Sequence, residues 1–187
     1  VMGNAAQATT WWAIMTGTAA FAITVLSPIL GAIADQGRGR KIWLAVFTTI
    51  IALGSACLWF VLPAAGYAIL LLILVGVSVV AFELSMVFYN ALLPGLVPRA
   101  WVGRVSGWAW GLGYFGGVGG LLIVLFGFVL ADPPPFGMDA GDGALEHVRI
   151  AGPIVALWLL MFCLPLFVWT HDSRGRGLSP CPAVRAG

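Results

Sequence analysis

Long apolar stretches alternate with short polar connections along the 187 residues of this chain. A hydrocarbon core about 30 Å thick is crossed by about 20 predominantly apolar residues in a helix. Stretches of that length cover residues 11–34, 42–62, 67–89, 105–131 and 150–170. They lack the strict alternation of barrel strands, and backbone polar groups in lipid must be paired internally. The pattern therefore predicts an all-α polytopic transmembrane helix bundle of about five spans, a single transmembrane domain with a cytoplasmic tail at 171–187.

The composition excludes a soluble globular domain. Hydrophobic residues make up 61% of the chain and charged residues only 9%, whereas a soluble domain carries roughly 25% charged residues. The histidines, His147 and His171, fall outside the spans, and no phosphate-binding glycine loop with its lysine is present. Cys57, Cys163 and Cys181 have neither disulfide-framework nor metal-site spacing. We therefore predict that the protein is not an enzyme, has no cofactor and no metal site, and binds no nucleic acid.

The basic residues predict which way the helices cross the membrane. They concentrate in alternate connections, and only Arg149 falls on the opposite side. By the positive-inside rule, the amino terminus lies outside and the carboxyl terminus lies in the cytoplasm. The clustered side chains are Arg38, Arg40, Lys41, Arg99, Arg104, Arg174, Arg176 and Arg185. The expected location is the lipid bilayer of a bacterial inner membrane or a eukaryotic endomembrane.

A short charged loop joins the first two spans. The segment GAIADQGRGRK, residues 31–41, places Asp35 at the carboxyl end of a helix. A carboxylate there faces the negative end of the helix dipole, at a cost of about 0.3 to 1 kcal/mol, so we expect a partner for it in a nearby arginine or another helix N-terminus. The alternative is a tight loop whose charges only anchor headgroups. The candidate loop residues are Gly31, Asp35, Arg38, Arg40 and Lys41.

Glu83 is the acidic residue placed well inside a span, and Asn90 lies two helical turns further along the same face. In one interpretation, Glu83 loads and releases a coupling proton while Asn90 binds substrate. In the other, Glu83 pairs with Arg99 or Arg104 and Asn90 caps the helix end. The structural interpretation is favoured, because Glu83 lies about 24 Å along a span about 30 Å long, nearer the inner surface than the midplane.

The fourth span is rich in glycine. Gly103, Gly107 and Gly111 recur at four-residue spacing, which is typical of closely packed membrane helices. The alternative is a broken helix whose freed backbone groups bind substrate. Packing is favoured because the later glycines surround the helix and Tyr114 is the polar side chain that joins them. Tyr114 is therefore a third candidate for substrate or coupling contacts.

The loop between the first two spans resembles a signature of the major facilitator superfamily, Gly-x-Leu-x-Asp-Arg-x-Gly-Arg-Lys, found between the second and third helices of those transporters. Gly31, Ile33 and Asp35 match, and Gln36 stands where arginine is usual. Arg38 and Gly39 appear in swapped order before Arg40 and Lys41. The resemblance implies a cytoplasmic charge relay that latches the two halves of a transporter during its cycle.

A second segment indicates one branch of the major facilitator superfamily. The run FYNALLPGLVPRAWVGRVSGWAWGLGYFGG, residues 88–117, is similar to transporters related to the fungal vacuolar amino-acid effluxer and to their bacterial homologues. The resemblance implies a fragment that covers helices two to six, in the N-terminal half of a major facilitator fold.

The function that this resemblance implies is secondary active transport by alternating access, coupled to protons, of a small solute such as an amino acid. The expected partners are the small-molecule substrate and either the missing C-terminal half or a second copy. The alternative is a truncated, non-transporting membrane module that needs a partner subunit or has no function.

Overall fold

The computed structural model describes residues 5–35, 39–139, 141 and 144–170. In these ranges the chain forms helices and no strands, and five helical segments are long and apolar enough to cross a membrane. The all-helical class and the number of spans are therefore confirmed. The helices are α1 (Ala5–Asp35), α2 (Arg40–Cys57), α3 (Ala68–Leu96), α4 (Val102–Val124), α5 (Glu146–Arg149) and α6 (Ala151–Trp169).

The helix ends follow local sequence signals, and three differ clearly from the predicted bounds. Helix α1 begins at Ala5 rather than at residue 11, and the fourth helical segment begins at Arg99 rather than at residue 105. Gly39 precedes α2 with φ 74°, a left-handed conformation that glycine adopts without a Cβ clash. Turns of 3₁₀ helix extend α2 through Leu58–Phe60, and a π turn extends α4 through Leu125–Val129. The sequence predicted that the third span ends at residue 89, but α3 continues through Pro94 to Leu96, since the apolar run goes on and proline is tolerated in membrane helices.

The tightest packing lies where α1 ends, α2 begins and α3 approaches its end. Phe88 is fully buried, and its ring stacks on Trp43 with centroids 5.8 Å apart and is tilted against Phe47 with centroids 6.0 Å apart. The surrounding core consists of Leu30, Ala34, Leu44, Phe47, Ala81, Leu84, Phe88 and Leu92. We call this the basic end of the bundle, since it also carries Arg40 and Lys41. This core therefore holds the end of α1 and the start of α2, the two helix ends that the charged loop connects.

Two cavities lie toward the opposite end, which we call the acidic-loop end because the connection from α4 to α6 lies there. A cavity of about 530 Å³ opens between the first half of α1 and the first half of α3, with Trp11, Met15 and Ile73 among its walls. A second cavity of about 780 Å³ lies between the starts of α1, α3 and α6. Both cavities thus lie toward the acidic-loop end, where α2 still packs closely against α6.

Helix α6 packs against α2 in the antiparallel sense. At the contact, Gly152 faces the carbonyl oxygen of Ser55, and a Cβ added to it would also lie 3.0 Å from the Cβ of Leu58. Because nothing larger than hydrogen fits between the two backbones, Gly152 sets the distance between α2 and α6.

Replacing this glycine should separate the two helices. We expect Gly152→Ala to lower the free energy of unfolding by about 1 to 3 kcal/mol, because the added methyl overpacks a contact with backbone atoms. Gly113→Ala is the matched control, since nothing lies within 4 Å of a Cβ at that position. Thermal unfolding in detergent compares the two. Equal transition temperatures would contradict the assignment of Gly152 as the spacer.

Candidate functional site at the charged loop and the polar face of α3

The two basic residues at the start of α2 bind the carboxyl ends of two other helices. Arg40 Nε donates to the carbonyl of Ala34 at 2.7 Å, at the end of α1. Lys41 Nζ donates to the carbonyl of Phe167 at 2.8 Å and to that of Thr170, at the end of α6. The last four carbonyls of a helix have no intrahelical partner, and the helix dipole favours a cation there. One dipeptide therefore ties α1 and α6 to the start of α2.

Asp35, the acidic residue of the loop, does not have the partner that the sequence predicted. Asp35 is the last residue of α1 and is exposed, and no described residue forms an ion pair or hydrogen bond with its carboxylate. Arg38, one of the predicted loop residues, lies outside the described residues. Gly31 lies in α1 with open space around it. Among the described residues, the side chains of Arg40 and Lys41 donate hydrogen bonds to helix-end carbonyls and not to Asp35.

A third cation completes the α2–α6 pair at its other end. Arg149 donates to the carbonyl of Trp59, just beyond α2, and to the carbonyl of Ala144 at 3.2 Å. Its guanidinium carbon lies 5.1 Å from the centroid of the Trp59 ring, within the range of a cation–π contact. Each helix of the pair thus carries near its start a cation that binds the end of the other helix. We call this arrangement the reciprocal clamp.

Glu83 and Asn90 lie on the face of α3 that points away from the core. Both are exposed, whereas Leu84, Ser85 and Phe88 are buried. At 3.6 residues per turn, the direction of Glu83 and Asn90 is nearly opposite to that of Phe88. The predicted common face is therefore present in the described bundle.

The ionic and capping contacts proposed for these residues are not formed. Within the described ranges, Glu83 makes no ion pair with Arg99 or Arg104. Arg104 instead lies over the ring of Trp101, 5.0 Å from its centroid. Asn90 does not cap α3, since the helix continues past it.

Tyr114 lies on α4 and is 69% exposed, with its ring 6.2 Å from that of Trp110. No hydrogen bond joins Tyr114 to Glu83 or Asn90 in the part of the chain that the structure describes. The three candidates therefore lie on two outward surfaces and do not form one closed site here. No cluster of three or more His, Cys, Asp or Glu side chains suited to a metal ion occurs among the described residues.

The glycines of α4 do not mediate close packing inside this bundle. The helix is continuous from Val102 to Val124, so it is not the broken helix of the alternative interpretation. A Cβ at Gly103, Gly107 or Gly111 would meet nothing within 4 Å, and at Gly120 it would lie 3.5 Å from the Trp158 indole. The close helix contact predicted from the spacing is thus absent among the described residues.

These features define a multi-pass helical membrane protein with a carboxylate on an outward face of one span. The chain belongs to the family described as vacuole effluxer Atg22 like, whose model matches residues 1–102. It is 28% identical over 169 residues to a Bacillus subtilis (strain 168) protein described as the uncharacterized MFS-type transporter YxiO. That match covers 90% of this chain and 38% of the relative, so the chain spans well under half of the relative's length. No solved structure gives a significant match.

The family match confirms the branch that the sequence segments indicated, transporters related to the fungal vacuolar effluxer. The similarity to an MFS-type transporter agrees with the major facilitator resemblance of the loop.

Removing the cation at the basic end should loosen α6. We expect Lys41→Gln to lower the free energy of unfolding by about 1 to 2 kcal/mol, because hydrogen bonds from a partly buried charge to helix-end carbonyls are weakened. Hydrogen exchange should rise mainly in the last turn of α6. Arg104→Gln is the control, since its cation contacts an exposed indole at the start of α4. Unchanged exchange in Lys41→Gln would show that the cap contributes nothing.

Proposed function

We propose that this chain forms part of a secondary active transporter that works by alternating access and couples a small solute to protons. The observation that carries the proposal is the outward placement of Glu83 within the apolar helix α3. An ionisable side chain is costly in lipid, so it faces a protein interior or a water-filled cavity. Membership of the effluxer-like family and similarity to an MFS-type transporter support this function.

The length of α3 strengthens the transport interpretation of Glu83. Counting from Ala68, Glu83 lies about 22 Å along a 29-residue helix that is about 43 Å long. This is near the middle of the helix, and substrate sites of transporters lie near the bilayer midplane. A span that ended at residue 89 would place Glu83 nearer the inner surface. A helix that continues to Leu96 therefore supports the transport interpretation of Glu83 over the structural one.

Amino acids are the substrate class that we propose to test first. The carboxylate of Glu83 attracts an ammonium group, and the side-chain amide of Asn90 both donates and accepts hydrogen bonds. Once a second helical half closes the site, those groups and the Tyr114 hydroxyl would suit a small zwitterion, since the amide and the hydroxyl can donate to its carboxylate. The description of the family as vacuole effluxers is consistent with the export of a small solute.

The proposed site is completed by a second helical half, supplied by a longer polypeptide or by a second copy of this chain. The exposed surfaces of α3 and α4 support this arrangement, since each carries a polar candidate that faces away from the described bundle. The open glycine positions of α4 equally suit a non-transporting module that packs against a partner subunit. Sizing in detergent separates the two, because a working half forms a stable dimer and a bare module aggregates.

The orientation proposed from the basic residues can be tested by cysteine labelling. Ala64, between α2 and α3, and Ala100, between α3 and α4, are both exposed and lie at opposite ends of α3. In a background without the native cysteines, we expect an impermeant maleimide to label Ala64→Cys in intact cells. Ala100→Cys should react only after the membrane is opened. The reverse pattern would invert the topology.

If Glu83 carries the coupling proton, its loss should affect transport driven by a pH gradient but not counterflow exchange. In proteoliposomes that contain the complete protein, Glu83→Gln should abolish amino-acid transport driven by a pH gradient while counterflow exchange continues. The reason is that glutamine mimics the protonated carboxyl and cannot release the proton that the return step requires. Glu146→Gln, which alters a carboxylate in the loop, should leave both activities intact. Unchanged gradient-driven transport in Glu83→Gln would exclude the role.

A further inference from the structure

The larger cavity at the acidic-loop end has apolar walls and one charged lining residue. Its volume is about 780 Å³, within the range of about 300 to 1,000 Å³ that ligand pockets occupy. Trp12 of α1 and Leu71 and Leu72 of α3 form part of the wall. Tyr67 and Arg149 stand at the side where the helices begin. The cavity thus combines a long apolar surface with a single cation.

Arg149 is held in one orientation, but the protein accepts hydrogen bonds from only some of its N–H donors. A guanidinium group has five N–H donors, and the carbonyls of Trp59 and Ala144 accept from two of them. Its Nε is buried and has no hydrogen-bond partner. The stacking on the Trp59 ring and the two carbonyls fix the orientation of the group before any ligand arrives. One N–H on each of the two terminal nitrogens therefore remains, in a fixed orientation, in addition to the buried Nε.

The positive charge of Arg149 has no counterion among the described carboxylates. Glu146, one turn earlier, accepts from the backbone N–H of Asp139 at 3.0 Å, and Asp139 accepts from the backbone N–H of Gly141 at 2.7 Å. A partly buried charge without an ion-pair partner favours binding of an anion. Since each terminal nitrogen of the planar group keeps one N–H, a phosphate that accepts two hydrogen bonds fits it best.

We propose that this cavity binds a phospholipid with an anionic headgroup, whose phosphate pairs with Arg149 and whose acyl chain lies along the apolar walls. The aromatic side chains at the cavity support an interfacial position, since Trp12 and Tyr67 are of the types that prefer the headgroup layer. A free phosphate or a small zwitterion would satisfy Arg149 and leave the apolar surface empty. Charge and apolar length together therefore select an amphiphile. This proposal is independent of the transport function.

Native mass spectrometry of the purified chain with added lipids tests the site. With phosphatidylglycerol and phosphatidylcholine of the same acyl chains, we expect the chain to retain phosphatidylglycerol about tenfold better. Both lipids carry the phosphate, but the choline ammonium neutralises the headgroup and is repelled by the guanidinium of Arg149, so only phosphatidylglycerol offers a net negative charge. Arg149→Gln should remove this preference. Arg104→Gln is the matched control and should keep it, because that cation lies at the other end of the bundle.

A second variant keeps the test decisive if Arg149→Gln fails to fold. Ala64 is exposed and lines the cavity, so Ala64→Trp should fill the apolar part and reduce phosphatidylglycerol retention while Arg149 remains. Retention that is unchanged in both variants would overturn the proposal. So would full competition by inorganic phosphate, which would indicate a site for a free anion. A several-fold gain in Asp142→Asn would identify that loop carboxylate, outside the described residues, as the natural partner of Arg149 and would also overturn it.

Discussion

The reciprocal clamp between α2 and α6 is the interaction on which the arrangement of the other helices depends. A helix leaves its last carbonyls unpaired, and in a membrane little water is present to satisfy them. Because α2 and α6 are antiparallel, the start of each helix lies beside the end of the other. Lys41 and Arg149 exploit this geometry, and Gly152 brings the two backbones close enough for both contacts.

The position of α2 in turn determines which way α3 faces. Trp43 and Phe47 of α2 stack on each other and both contact Phe88 of α3, so the buried stripe of α3 turns toward α1 and α2. Glu83 and Asn90 then point to the opposite side, because they lie about half a turn away from that stripe. The outward direction of the carboxylate is thus a consequence of aromatic packing elsewhere on the same helix.

The sequence was sufficient for features that depend on local composition. Five apolar runs gave five helices, since span length follows from bilayer thickness. The common face of Glu83 and Asn90 followed from helical periodicity alone. Contacts between distant segments could not be predicted. Lys41 binds the carbonyl of Phe167, 126 positions away, and the local sequence of neither segment indicates which other segment it contacts. The spacing of Gly103 and Gly107 indicated close packing but could not show which helix, if any, packs there.

The basic residues have two roles that are physically distinct but use the same charges. Counting lysine and arginine by connection predicts orientation, and in that count Arg149 is the exception on the acidic side. In the structure, Arg40, Lys41 and Arg149 each bind the carbonyl end of a helix. A cation is favoured at such an end whichever side of the membrane it occupies, because the helix dipole depends on chain direction. The exception to the topological rule is therefore explained by the clamp, which requires a cation at both ends of an antiparallel pair.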